Sequence, residues 1–159
     1  MANLAQSTKI GNGGINGGYE ASATMQLGIY NYRLADADRT SRYLHFKTNV
    51  LRNSGRMVRV DAVGYDYAGA RPIRCSWVWY SYSVDGNLYS VGLHNAYPGM
   101  VPNSVYIGAD NYVCISASAR DLYFIGVTFD AYTPSNSYGL GQTVAITASA
   151  ATASAGNYF

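Results

Sequence analysis

An all-β fold, a single β-sandwich, is what this sequence predicts, and three observations predict it. Charged residues fill only 13% of the 159 positions, about half the usual share of roughly 25%, so a helical bundle would lack the Lys and Glu its outer faces need. Tyr (16) and Gly (17) are abundant while Glu occurs once, as Glu20, and Lys twice, an alphabet of strands and turns. Apolar and polar residues alternate with period two in short runs separated by turn residues, and no stretch has helical periodicity. At 48% hydrophobic and 14% aromatic the chain is too apolar to stay disordered. Its length is that of one domain, enough to bury a core without disulfides or metal.

The elements follow in order. Residues 1–18, which include IGNGGINGG, are too rich in Gly and Asn to anchor a core and predict a flexible arm. The sandwich is expected over residues 19–147. Met25, Leu27 and Ile29 alternate with Gln26, Gly28 and Tyr30, and Leu44, Phe46, Thr48 and Val50 alternate with Tyr43, His45, Lys47 and Asn49. After the turn Asn53-Ser54-Gly55, Val58, Val60 and Ala62 alternate with Arg59, Asp61 and Val63. Ile73, Cys75, Trp77 and Trp79 share one strand face, opposite Arg74, Ser76, Val78, Tyr80 and Tyr82. Asp85-Gly86-Asn87 signals a hairpin into Leu88–Leu93. Two short strands, Ser104–Ile107 and Tyr112–Ser116, flank Ala109-Asp110-Asn111, and Leu122–Tyr132 reads as the longest strand. Thr143–Thr147 can supply a last strand, and residues 148–159, rich in Ala and Ser, a second arm. Eight or nine strands result, with jelly-roll connections the first expectation. The core is expected to include Leu44, Phe46, Val58, Val60, Trp77, Phe124 and Val127.

Charge bounds the partners. From Arg33 to Arg74, nine basic side chains stand against four Asp, while the remainder of the chain is net acidic. A basic region of this kind can meet an acidic protein or glycan, but it forms no dense Lys/Arg run and matches no nucleic-acid module, so no nucleic-acid partner is expected. The start, MANLAQSTKIGNGG, lacks the apolar stretch of a secretory signal, and no run approaches a membrane span. Synthesis and folding in a cytoplasm, with no membrane partner, are expected. Cys75 and Cys114 sit in apolar runs without CxxC spacing, which predicts buried free thiols, with a disulfide as the alternative.

No catalytic, cofactor or metal site is expected. His45 falls on the polar face of a strand and is expected to be solvated. His94 precedes the loop Asn95–Gly99 without a nucleophile nearby in sequence. A glycosidase needs two carboxylates across a cleft, and Asp36 and Asp38 are too close in sequence to face each other that way. The same Asp-x-Asp lacks the further oxygen donors of a cation loop. Gly11, Gly13, Gly14, Gly17 and Gly18 neither follow a strand nor open a helix, so they imply no phosphate loop.

What does stand out is aromatic loading on both faces of one strand, Trp77 and Trp79 one way and Tyr80 and Tyr82 the other. Tyr and Trp give large contact area at low entropic cost, which suits an interface, and their ring faces also suit sugars. Arg74, Val78, Tyr80 and Tyr82 are therefore the interface candidates, facing another subunit or a scaffold.

The segments Tyr43-Leu44-His45-Phe46-Lys47-Thr48-Asn49, Val60-Asp61-Ala62-Val63-Gly64-Tyr65 and Leu122-Tyr123-Phe124-Ile125-Gly126-Val127-Thr128-Phe129 resemble the β-rich tip and decoration modules of tailed bacteriophages, those infecting cyanobacteria most of all. The resemblance spans residues 42–132. It implies a non-enzymatic virion surface protein, a homo-oligomer and by preference a trimer, whose partner is a phage capsid or tail protein. The chain has no heptad or collagen-like shaft, so a knob on the capsid or a small tail component fits better than a fibre. The alternative is a lectin-like receptor-binding module of a tail fibre, with a host surface glycan as partner. The family's motifs fix no binding residue that could be carried over.

Overall fold

The computed structural model describes residues 7–11, 22–34, 42–119, 124–134 and 143–159. Along them run ten strands: β1 Ser7–Gly11, β2 Ser22–Leu34, β3 Arg42–Leu51, β4 Met57–Asp66, β5 Arg71–Ser81, β6 Leu88–Pro98, β7 Val101–Ile107, β8 Tyr112–Ala119, β9 Ile125–Pro134 and β10 Ile146–Thr152. Six form one sheet in the order β1-β2-β9-β4-β5-β6, and four form a second in the order β10-β3-β8-β7. All neighbours are antiparallel. The two sheets pack face to face as a β-sandwich. Within the larger sheet β4, β5 and β6 follow one another and β9 returns beside β4. This is the order of a Greek key, the unit from which jelly rolls are built.

Period-two alternation explains the core. On β5, Ile73, Cys75, Trp77 and Trp79 are buried; from β3 and β4 come Leu44, Phe46, Val50, Val58, Val60 and Ala62, and from β9 Ile125, Val127 and Phe129. Phe46 and Phe129 meet across the sheets with ring centroids 4.6 Å apart, and Trp77 stacks on Phe129 at 6.2 Å. Two polar atoms that enter this layer find partners in the opposite sheet. The Trp77 indole N–H donates to the Ser116 carbonyl at 2.9 Å, and the Tyr30 hydroxyl meets Ser149 Oγ at 2.7 Å. These bonds discharge the cost of burying polar groups and fix how the sheets sit on each other. Both cysteines are buried free thiols.

Several expectations are corrected. Phe124 is not in the core: it precedes β9, is 40% exposed and has a positive φ of 54°, so the strand alternation begins only at Ile125. The longest described strand is β2, and its apolar phase is the reverse of the expected one. Met25 and Leu27 face outward while Gln26 is buried, its Oε1 accepting the Val144 N–H at 2.6 Å. A bulge lies between Gln26 and Tyr30, where Gly28 takes φ of 64° and its N–H donates to Asp130 Oδ1 at 2.7 Å, yet the same parity faces inward on both sides of it. Beyond it Tyr30, Tyr32 and Leu34 lean on the core, with Ile29 beside them.

His45 is fully buried rather than solvated, because the C-terminal residues cover the outer face of the smaller sheet there. β10 pairs with β3 as far as Thr152↔Tyr43, and the chain then folds back to place Tyr158 against His45 at 5.5 Å between ring centroids. Strand pairing thus extends past residue 147, and at the other end residues 7–11 of the expected arm pair with β2. The rest of residues 1–18, together with Asp36, Asp38, Leu122 and Tyr123, lies outside the described residues.

Candidate functional site

The outer face of the six-stranded sheet is built from the positions that alternate with the core. Strand register orders them in rungs. Met25, Tyr132, Arg59, Val78 and Gly92 form one rung from β2 to β6. Met57, Tyr80 and Tyr89 form the next toward the β5–β6 hairpin. On the other side come Asp130, Asp61, Ser76 and His94, then Asn31, Thr128, Val63, Arg74 and Tyr97.

All four interface candidates, Arg74, Val78, Tyr80 and Tyr82, lie on this face. Tyr80 and Tyr82 are 5.8 Å apart between ring centroids, and Tyr82 meets Tyr89 edge to face at 5.6 Å. The three rings surround a shallow cavity of about 370 Å³. Val78 adjoins them on β5, whereas Arg74 stands further along, beside Val63 and Tyr97, and does not join the ring cluster.

The hairpin holds the rings in place. Asp85 Oδ1 accepts the Asn87 N–H at 2.8 Å, Gly86 turns the chain at φ of 68°, and the Tyr89 hydroxyl donates to Asp85 Oδ2 at 2.7 Å. The Asn87 N–H and then the Tyr89 hydroxyl hold the Asp85 carboxyl below its usual range, and the same carboxylate raises the Tyr89 phenol.

Sequence reasoning missed Met25, Met57 and Tyr132 as members of this surface. Met57, at 48% exposure, was detectable from parity alone, since it alternates with Val58. Met25 was not, because its strand turns the polar Gln26 inward, where Oε1 accepts the Val144 N–H from a distant part of the chain.

Two carboxylates do come together: Asp61 and Asp130 are directly opposite on β4 and β9. Each has its own partner, Asp61 the Arg59 Nε–H at 2.7 Å and Asp130 the Gly28 N–H. These contacts offset the like-charge repulsion of a facing pair. Among the described residues no group of three His, Cys, Asp or Glu is placed to hold a metal ion, and no helix is long and apolar enough to cross a membrane.

At the opposite end of the same face a second hollow, of about 420 Å³, is lined by Arg33, Tyr65, Tyr67, Phe124, Ile125 and Gly126. At the hairpin end of the core, Ser54 Oγ, Arg56 Nε and Nη1, Trp79 Nε1 and Ser81 Oγ are buried without a hydrogen-bond partner among the described residues.

Comparison with protein-family models, curated proteins and solved structures finds no match.

Proposed function

We propose that this chain is a non-enzymatic structural module of a tailed-bacteriophage virion, a small projecting knob attached to the capsid or tail, and that the outer face of its six-stranded sheet packs against another subunit. The observation that carries the packing is the apolar and aromatic row Met25, Tyr132, Val78, Met57, Tyr80, Tyr82 and Tyr89 on a sheet face that nothing in the chain covers among the described residues. An exposed patch of this kind, with Arg59 and Arg74 beside it, has the aromatic, Met and Arg composition of protein interfaces rather than of free surface. The phage setting rests on the three strand segments that resemble decoration and tip modules, and the homo-oligomer, a trimer by preference, follows from the same resemblance.

The test is assembly. Sedimentation of the purified chain, and its co-purification with phage particles, should show association that Tyr80→Ala weakens by about 2 kcal/mol or more. A wild-type chain that stays monomeric and binds neither capsids nor tails would overturn the reading. Sugar binding lost on Tyr80→Ala with the oligomer intact would convert this face into a lectin surface.

A further inference from the structure

We propose that the hollow over Gly126 is a binding site for a carboxylate-bearing saccharide, separate from the aromatic cluster at the hairpin end of the same face. Its floor is a cross-strand triplet, Arg33 on β2, Gly126 on β9 and Tyr65 on β4. A Cβ built at Gly126 would meet nothing within 4 Å, so the glycine leaves a depression between a guanidinium and a phenol. The walls are aromatic and mutually perpendicular: Tyr65 and Tyr67 at 6.4 Å and 74°, Tyr67 and Phe124 at 5.9 Å and 77°. Phe124 stands there with φ of 54°, a backbone conformation that costs energy in a non-glycine residue and is concentrated at ligand clamps.

Volume and chemistry select the ligand. The hollow, about 420 Å³, falls within the range of small-molecule sites. Its rings expose π faces that suit the C–H faces of a pyranose, and the phenol hydroxyls can bond sugar hydroxyls. Arg33 forms no ion pair with a carboxylate among the described residues, and its planar fork matches a carboxylate bidentately. A phosphate site would be expected to surround the anion with several cations or backbone N–H groups. Among the described residues one cation lines the hollow beside three rings, the arrangement for a ligand mostly sugar and partly anion.

The experiment uses the full chain and two matched probe pairs: methyl β-D-glucuronide against methyl β-D-glucoside, and methyl α-D-galacturonide against methyl α-D-galactoside. Members of each pair differ only in a carboxylate for a hydroxymethyl. In ¹⁵N-resolved titrations at least one uronide should shift the Gly126 amide and bind about tenfold or more tightly than its neutral partner, as one charge-assisted contact allows. Arg33→Gln should erase that preference, and Tyr67→Ala should weaken both members. A Cβ at Gly126 has open space around it, so Gly126→Val should fill the floor and abolish binding while leaving the melting temperature within a few degrees. Tyr80→Ala, at the other end of the face, should bind as the wild type does. Failure of both uronides to bind, equal binding of a pair, binding that survives Gly126→Val, or displacement by acetate as readily as by free uronide would each overturn the proposal.

Discussion

His45 Nδ1 lies 3.0 Å from the Tyr106 hydroxyl, while its Nε2 faces the Ser154 carbonyl at 3.3 Å. A carbonyl only accepts, so Nε2 carries the proton and Tyr106 donates to Nδ1. The Tyr106 oxygen in turn accepts from the Tyr158 N–H at 3.4 Å. One neutral imidazole thereby fastens the C-terminal residues to β3 and β7.

Burial lowers the His45 pKa, and the Ser154 hydrogen bond only partly opposes that shift. The folded state thus binds its proton less readily than the unfolded chain, whose reference is about 6.5. The contribution is fully present above that value and is lost as the pH falls through the lower folded value. Melting temperature should decline from pH 7.5 to pH 5, and carboxypeptidase should remove Phe159 and Tyr158 faster at the acid end. His45→Gln should flatten both profiles. An unchanged profile in that variant would assign the acid sensitivity elsewhere.

Phe129 on β9 and Phe124 just before it separate two roles an aromatic can take. Phe129 is fully buried among Phe46, Tyr30 and Trp77, so Phe129→Ala should cost about 3–5 kcal/mol in urea unfolding. Phe124→Ala, on the surface beside Tyr67, should cost about 1 kcal/mol or less. Equal losses would place Phe124 back in the core.

These two positions also show what was legible beforehand. Strict alternation on β4 and β5 has both faces in the residue letters, so Val58, Val60 and Trp77 fall inside and Arg74, Val78 and Tyr80 outside without further information. The pattern fails where tertiary partners choose the face or where the backbone is not extended. On β2 Gln26 turns inward to meet the Val144 N–H and leaves Met25 and Leu27 outside, and the positive φ of Phe124 detaches it from β9. His45 obeyed its parity, but its solvent was displaced by residues more than a hundred positions away, which no local pattern encodes. The hollow over Gly126 was illegible for the same reason: Arg33, Tyr65 and Gly126 become neighbours only through strand register.

Gly64 is a stricter glycine than Gly126, although they stand on neighbouring strands. A Cβ at Gly64 would come within 2.0 Å of the Gly126 carbonyl oxygen and 2.9 Å of Val127 Cα, backbone atoms that cannot move without parting β4 from β9. Gly64→Ala should therefore destabilise by about 1–3 kcal/mol or more, whereas Gly126→Ala should be close to neutral. Chemical unfolding of the two variants side by side checks the contrast.

The thiols should be inert in the folded chain. Burial raises the Cys75 pKa to about 12 and that of Cys114 to about 11, with the Asp61 and Asp110 carboxylates adding to the respective shifts. Since the thiolate is the reactive form, a disulfide reagent at pH 8 should react with neither until the protein is unfolded. Rapid native labelling of either residue would show that its strand opens.

Arg56 carries the last prediction. Its Nε and Nη1 are buried without partners among the described residues, as are Trp79 Nε1 and the Ser54 and Ser81 hydroxyls, and burial lowers its pKa. An uncompensated guanidinium in such a place costs stability that packing must offset. Met has a similar unbranched stem and no charge to desolvate, so Arg56→Met should leave the melting temperature unchanged or raise it. Arg56→Ala, which also removes the stem, should lower it. A large loss with Met would mean that the charge is compensated by an anion or ordered water, and raising sulfate concentration should then stabilise the wild type more than the Met variant.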